Sequence, residues 1–408
     1  MSYFKTRVKL LKKLLCLVFV LIITVIPAAP FAGAAGKTVK GTSYPYIFVS
    51  GYAGWGNYDK FNDTLPYWGR LNGDLIAYLN KQGYKSYAAS INPLGSAWDR
   101  ACELYAQLTG TVVDYGEVHS AKYHHFRYGY DFSKEPLIQG WGKKDKNGNL
   151  NKINIIAHSF GGATSRLFAE LMANGSKEEI KGTKIGKVSG FFKGSKADWI
   201  YSISTFASPH DGTDSVLIFS PLEMMTVFGL TENLGSLQQE PVVQYASKIG
   251  KSMTLTNIND TGLYDLTIDG ASELNKKISI IKNIYYFSTP SDATKASSSS
   301  DTRIPDTSVS DPLFLANIYM IGRSKTVTEK GTVVDEKWFS NDGVVNTISS
   351  IAPKNEPRKT FNVKNIKPGI WNVMTTFKGD HAAIIGGLSH KVDINSLYLN
   401  QIKLVNSI

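Results

Sequence analysis

Ser159 is the residue around which chemistry can be organised in this chain. It stands in NIIAHSFGGATSRLFAEL, residues 154–171, where an apolar run enters a serine hemmed in by Ala157, Gly161 and Gly162. A helical pattern follows. A serine on a tight strand-to-helix turn must adopt a strained backbone conformation. Side chains two residues before and two after it would collide, so small residues are needed there. Ala157-His158-Ser159-Phe160-Gly161 meets that need, with alanine at the first small position. Such a turn lifts the hydroxyl above the sheet and sets it at a helix N-terminus, which favours negative charge beside it. The same five residues could also form an ordinary turn with a capping serine. The strand before and the helix after favour a nucleophile.

A nucleophilic hydroxyl needs a base, and the base needs an orienting acid. On a strand-turn-helix scaffold of this type they follow in the order serine, acid, histidine. Three histidines follow Ser159: His210, His381 and His390. His381, in FKGDHAAII near the chain end, suits the base. His390, in LSHKVD, suits it less well. His210, in ASPHDGT just after a strand, could shape the floor of a site instead. For the acid, Asp342 in SNDGVVN leads and Asp211 is the runner-up; a lone loop aspartate otherwise reads as a turn former. A developing oxyanion needs two backbone donors. The amide of Phe160 follows the nucleophile. The amide of Tyr52 lies in the glycine-rich turn VSGYAGWG after the first strand.

The elements that must hold these residues alternate along the chain. YPYIFVSGY, KSYAASI, KINIIAH, WIYSISTFAS and NIYYFST read as strands. LNGDLIAYLNKQGY, DRACELYAQL, TSRLFAELMANG and the terminal SLYLNQIKLVNS read as helices, with glycine stops in the first and third. Strands alternating with helices predict an α/β fold with a mostly parallel sheet covered on both faces. Three stretches interrupt the alternation. Residues 95–135 are rich in tyrosine and histidine. Residues 214–250 contain the apolar VLIFSPLEMMTVFGL. Residues 290–312 are serine-rich and are expected to form a mobile loop. With no internal repeat and no proline-rich linker, residues 35–408 are expected to form one catalytic domain carrying these insertions.

The chain has 408 residues, 42% of them hydrophobic, ample for a sizeable core. Residues 1–34 place five cations before an apolar run, Leu14–Ile26, and end in a small-x-small pattern. They read as a secretory signal, too short in their apolar part for a membrane span. Removing those five cations takes the net charge from +11 to +6. Without a basic stripe interleaved with aromatics, that charge does not argue for nucleic-acid binding. Of the two cysteines, Cys16 lies in the signal and Cys102 in a helical pattern, so no internal disulfide is expected.

Together these segments resemble the secreted true lipases of bacilli and staphylococci, the thermoalkalophilic subfamily of bacterial lipases. The resemblance runs over roughly residues 44–400. It rests on SGYAGWG, WDRACELYAQLTGTVVDYGEVHSAKYHHFRYG, AHSFGG, ASPHDGT, YDLTIDGASELN, SNDGVVN and GDH, in that order. It implies an α/β-hydrolase fold with Ser159, Asp342 and His381 as the triad. It also implies a structural zinc ion in the 95–135 insertion, held by Asp99, His119, His125 and Asp265. Four protein ligands would leave no open position for water. The family's lid corresponds to residues 214–250. The chain departs from the family at Phe160, where glutamine is usual. It also departs at Ala383 and Leu388, where acidic calcium ligands are usual, so calcium is not expected there.

The resulting expectation is a secreted carboxylester hydrolase acting on triacylglycerol or another apolar ester at an oil-water interface. Rival readings are an esterase for short acyl chains or polyester surfaces, a phospholipid hydrolase, and a secreted binding protein on an inactive hydrolase fold. The sequence does not indicate an oligomeric state.

Overall fold

The computed structural model describes residues 44–218, 259–387 and 392–408. The signal segment, most of the lid segment (219–250), Leu388 and His390 lie outside them.

Seven strands form one sheet: β1 (Tyr46–Val49), β2 (Ser86–Ala89), β3 (Ile153–His158), β4 (Ile200–Phe206), β5 (Tyr285–Thr289), β6 (Arg358–Thr360) and β7 (Trp371–Val373). Their order is β6-β7-β5-β4-β3-β1-β2, and every neighbouring pair is parallel. Strands covered on both faces read as continuous apolar runs. Accordingly, all six residues of β3 are buried.

Helices that cover the sheet or carry candidate residues include α1 (Leu75–Lys81), α2 (Ala97–Thr109), α3 (Glu117–Tyr123), α4 (Gly161–Asn174), α5 (Gly262–Leu266) and α6 (Ile394–Asn406). Alternation along the strands assigns their faces. Tyr46 and Phe48 of β1, with Ser204 and Phe206 of β4, meet α6 through Asn406, Gln401 and Tyr398. On the opposite face α4 packs tightly. A Cβ at Gly161 would lie 2.3 Å from the Val49 carbonyl oxygen, and one at Gly162 would lie 2.5 Å from Ser208 Oγ. The glycines after Ser159 therefore let α4 start directly against the sheet.

Local signals set the ends of α2. The Ser96 side chain accepts from the Asp99 amide, and Gly110 closes the helix at φ 64°. Cys102 is buried within it. Residues 290–312, expected to form a mobile loop, contain regular pairing. Thr294–Ala296 and Arg303–Pro305 pair as a short antiparallel ribbon. The buried Asp292 carboxylate starts it by accepting from the Thr294 amide and hydroxyl. Serine content could not reveal that pairing, because a ladder depends on what lies across from each residue.

Candidate active site and metal centre

Ser159 has φ 55°, in the left-handed region that residues with a side chain rarely adopt. Its amide donates to the Phe206 carbonyl at 2.9 Å, and the Gly162 amide donates back to its own carbonyl at 3.0 Å. These bonds hold the turn between β3 and α4. The residue is 2% exposed.

Asp342 and His381 meet from different loops. His381 Nδ1 lies 2.8 Å from Asp342 Oδ2. The other carboxylate oxygen, Oδ1, accepts from the amides of Val344 and Val345. The His381 amide donates to the Asp342 carbonyl at 2.9 Å. A carboxylate that only accepts requires the proton on Nδ1, which gives Nε2 the lone pair a base needs. The loop carrying His381 is further held by Asp380. Its Oδ1 accepts from the Ala382 and Ala383 amides, and its Oδ2 from the Asp311 amide.

The histidine before the nucleophile ties these parts together, a role that sequence reading did not assign. His158 is buried. Its Nε2 lies 3.1 Å from the His381 carbonyl oxygen, and its Nδ1 lies 2.7 Å from Tyr67 Oη. The Gly51 amide donates to the same Tyr67 oxygen at 2.9 Å. A carbonyl can only accept, so Nε2 carries the hydrogen. Burial, aided by nearby His381, keeps the ring's pKa well below the usual histidine value, so it is neutral. Nδ1 then accepts from the Tyr67 hydroxyl, which in turn accepts from Gly51. Every proton in the chain is determined. It links the base loop, the serine turn and the loop expected to bind the oxyanion.

That last loop lies against the serine: a Cβ at Gly51 would sit 2.7 Å from Ser159 Cβ. Its neighbours are committed, with the Ala53 amide donating to the Pro93 carbonyl. The amides of Tyr52 and Phe160 have no acceptor among the described residues. Arg100 buttresses the loop from below, donating to the carbonyls of Ser50 and Asn92. Replacing Tyr67 by phenylalanine removes the shared oxygen and leaves Gly51 N–H and His158 Nδ1 without partners. Kinetics should show kcat lowered by roughly tenfold and KM changed less, because an oxyanion donor acts mainly in the transition state. An unchanged kcat would detach Tyr67 from the chemistry.

The remaining candidates have other roles. His210 is buried and held neutral by desolvation and by Arg166, with Nε2 3.1 Å from Thr205 Oγ1 and its ring against Trp371. Asp211 accepts from the Asn275 amide group and the Lys354 backbone. Both are occupied in the scaffold.

The metal expectation needs one correction. Asp99, His119 and His125 do come together, but their fourth partner is Asp260, not Asp265. The four ligand atoms lie within 4.8 Å of one another. His119 Nε2 is 3.2 Å from Asp99 and 3.3 Å from Asp260; His125 Nε2 is 3.3 Å from Asp260. Asp260 immediately precedes Thr261, the cap of α5. Asp265 lies one turn into that helix, where its Oδ2 accepts from the Ala97 amide at 2.7 Å. Burial pushes the Asp265 carboxyl up to about 7.

The cluster's chemistry fits a cation. His125 Nδ1 lies 2.9 Å from the Phe126 carbonyl, which fixes its hydrogen there and leaves a lone pair on Nε2. Nε2 faces carboxylate oxygens, which call for positive charge between them, supplied by a proton on the ring or by a metal ion. His119 tells the same story. Burial opposes charge on it, yet the Asp260 and Asp99 carboxylates outweigh burial and raise its pKa to about 9. Trp98 stacks on the His119 ring at 4.9 Å, and Glu179 accepts from the His119 amide, which fixes that ligand's orientation.

Comparison with known proteins agrees with this architecture. Residues 42–401 match the family described as "Lipase-like, C-terminal domain". The chain is 35% identical over 365 residues to Lipase 1 of Staphylococcus aureus and 33% identical over 375 residues to its Lipase 2. Each match covers 84% of this chain and 50% of the relative, so the chain spans about half the length of the curated relatives it matches. Among solved structures, EstA from Clostridium botulinum superimposes with a TM-score of 0.79 at 30% identity, over 94% of this chain and 92% of that one. Lipase 1 from Pelosinus fermentans gives 0.73 at 32% identity, over 90% and 99%. Staphylococcus hyicus lipase gives 0.73 at 29% identity, over 92% and 99%.

Proposed function

Since the chain belongs to the lipase-like C-terminal-domain family, we propose that it is a serine carboxylester hydrolase whose natural substrate is triacylglycerol. The observation that carries this reading is the His381–Asp342 pair, joined through His158 to the turn that holds Ser159 in a left-handed conformation. Ser159 Oγ attacks the ester carbonyl carbon, and its proton passes to His381 Nε2. Asp342 holds the imidazole in the required tautomer and balances its charge. The Tyr52 and Phe160 amides donate to the oxyanion. Collapse of the tetrahedral intermediate releases the alcohol, which takes its proton from His381. Water, deprotonated by the same histidine, then attacks the acyl-enzyme and frees the acid and the serine.

Ser159 and His381 are 2% and 0% exposed. The expected lid lies largely outside the described residues. We further propose that the Asp99, His119, His125 and Asp260 cluster holds zinc, whose preference for mixed nitrogen and oxygen ligands matches this set. When bound, the ion would tie the residues before α5 to α2 and to the segment after α3. The N-terminal residues favour export. Among the described residues, no helix is long and apolar enough to cross a membrane.

The test is the initial rate on p-nitrophenyl esters from acetyl to stearoyl, with Ser159→Ala as control. Activity extending through the long chains and lost in the variant is expected. Activity confined to short chains would make the protein an esterase, and none on any ester would refute the reading.

A further inference from the structure

One buried charge beside the catalytic centre has no counterpart among the described residues. Arg70 begins the short turn Arg70–Asn72 and is 7% exposed. Its Nε is sealed from solvent without an acceptor, and among the described residues no carboxylate forms an ion pair with it. Its surroundings are aromatic. The guanidinium carbon lies 5.5 Å from the centroid of Trp55 and 5.8 Å from that of Tyr67, two rings that meet edge to face. Aromatic faces offset only part of the cost of stripping water from a cation. Burial draws the Arg70 pKa below its ordinary value, yet a guanidinium stays charged at any physiological pH.

The backbone carries a second cost. Arg70 has φ 43°, in the region where a side chain is disfavoured. Strain and an unpaired buried charge at one position persist where the surroundings enforce them, and such positions gather at ligand sites.

The surroundings here are the catalytic loops. The Gly69 amide donates to the Ile385 carbonyl at 2.9 Å, and the Asn72 side chain donates to the Gly386 carbonyl, both just after His381. On the other side Tyr67, under the guanidinium, holds Gly51 against Ser159. Leu71, next in sequence, is 68% exposed and puts apolar surface beside the charge.

We propose that Arg70 is an anion-recognition subsite adjoining the catalytic serine, which takes a carboxylate or phosphate group carried on an amphiphilic substrate or product. This rests on the ester-hydrolase reading. An oxyanion would supply the missing counter-charge, and the guanidinium fork matches its geometry. Two sources share that chemistry. Hydrolysis itself converts an acyl ester and water into a carboxylate, an alcohol and a proton, so the group could be the released fatty acid. Alternatively it is the phosphate of a glycerophospholipid.

The experiment uses the intact chain and neutral p-nitrophenyl butyrate. Inhibition by octanoate, octyl phosphate and neutral octanol is compared in the wild type, Arg70→Lys and Arg70→Gln. In the wild type at least one anion should inhibit at tenfold or more lower concentration than octanol. Stronger octanoate identifies the product as ligand, and stronger octyl phosphate identifies the phospholipid. In Arg70→Gln that anion's inhibition constant should rise at least tenfold relative to octanol, with part retained in Arg70→Lys. Inhibition constants do not depend on the fraction of enzyme that folds. Equal inhibition by anions and octanol, or an anion constant unmoved in Arg70→Gln, overturns the subsite. Should the wild type fail to cleave the butyrate ester, the ester-hydrolase reading falls. Calorimetric titration of the same two anions into wild type and Arg70→Gln then decides the subsite separately.

Discussion

Replacing Asp342 by asparagine is expected to lower kcat roughly ten-thousandfold while the protein still folds. An amide fits the space of the carboxylate, and its oxygen can still accept from the Val344 and Val345 amides, as Asp342 Oδ1 does. What changes lies 2.8 Å away, at His381 Nδ1. The NH2 group donates, so Nδ1 must become the acceptor and the ring hydrogen must move to Nε2. The base then presents a hydrogen to Ser159 where it needs a lone pair. The imidazolium formed during attack also loses its balancing charge. Buried at 0% exposure, the pair has little water to screen or replace that interaction. The check is kcat on a soluble ester beside near-ultraviolet circular dichroism to report the fold. Ser159→Ala in the same assay gives the floor left by binding and the oxyanion donors. Activity of Asp342→Asn within tenfold of wild type would remove Asp342 from the acid's role.

The second large effect concerns the metal cluster. Stripping the ion with a chelator is expected to lower the melting temperature by several degrees and to expose the segment from Val112 to Asp131 to proteases. An ion present at 100 times its dissociation constant stabilises the folded state by about 2.7 kcal/mol. The loss should be local at first, because the ligands join pieces distant in sequence: Asp99 on α2, His119 on α3, His125 beyond it, and Asp260 before α5. Without the metal, only protons on the imidazoles balance the buried Asp99 and half-buried Asp260 carboxylates. Asp260→Asn should reproduce the chelator's effect. Asp265→Asn should not reduce the bound metal, since that carboxylate serves the Ala97 amide. Elemental analysis should find one zinc per chain in wild type and far less in Asp260→Asn. Equal metal in both would return Asp260 to a structural role.

The sequence alone determined what rests on short-range rules. The alternation of apolar runs and helical patterns predicted an α/β fold, and the sheet is parallel throughout. The turn at Ser159 was legible because its requirement is local: Ala157, Gly161 and Gly162 leave room within a few residues of the serine. The helical pattern of DRACELYAQL was legible in the same way, while its ends at Ser96 and Gly110 were found only in the structure. Tertiary structure decided everything in which partners come from distant segments. Asp260 and Asp265 are five residues apart in one acidic stretch, and only the path of the chain before α5 brings the first to the histidines. No spacing announces that His158 contacts Tyr67 and the His381 carbonyl, since those residues lie 91 and 223 positions away. Nothing in the residues around Arg70, a cation after a glycine, marks it for burial. Its burial under Trp55 and Tyr67 arises only when the loops after β1 and around His381 close on each other. The physical reason is common to all three. Backbone propensity and side-chain volume act between near neighbours, whereas the charge balance of a buried site depends on which distant groups folding brings within a few ångströms.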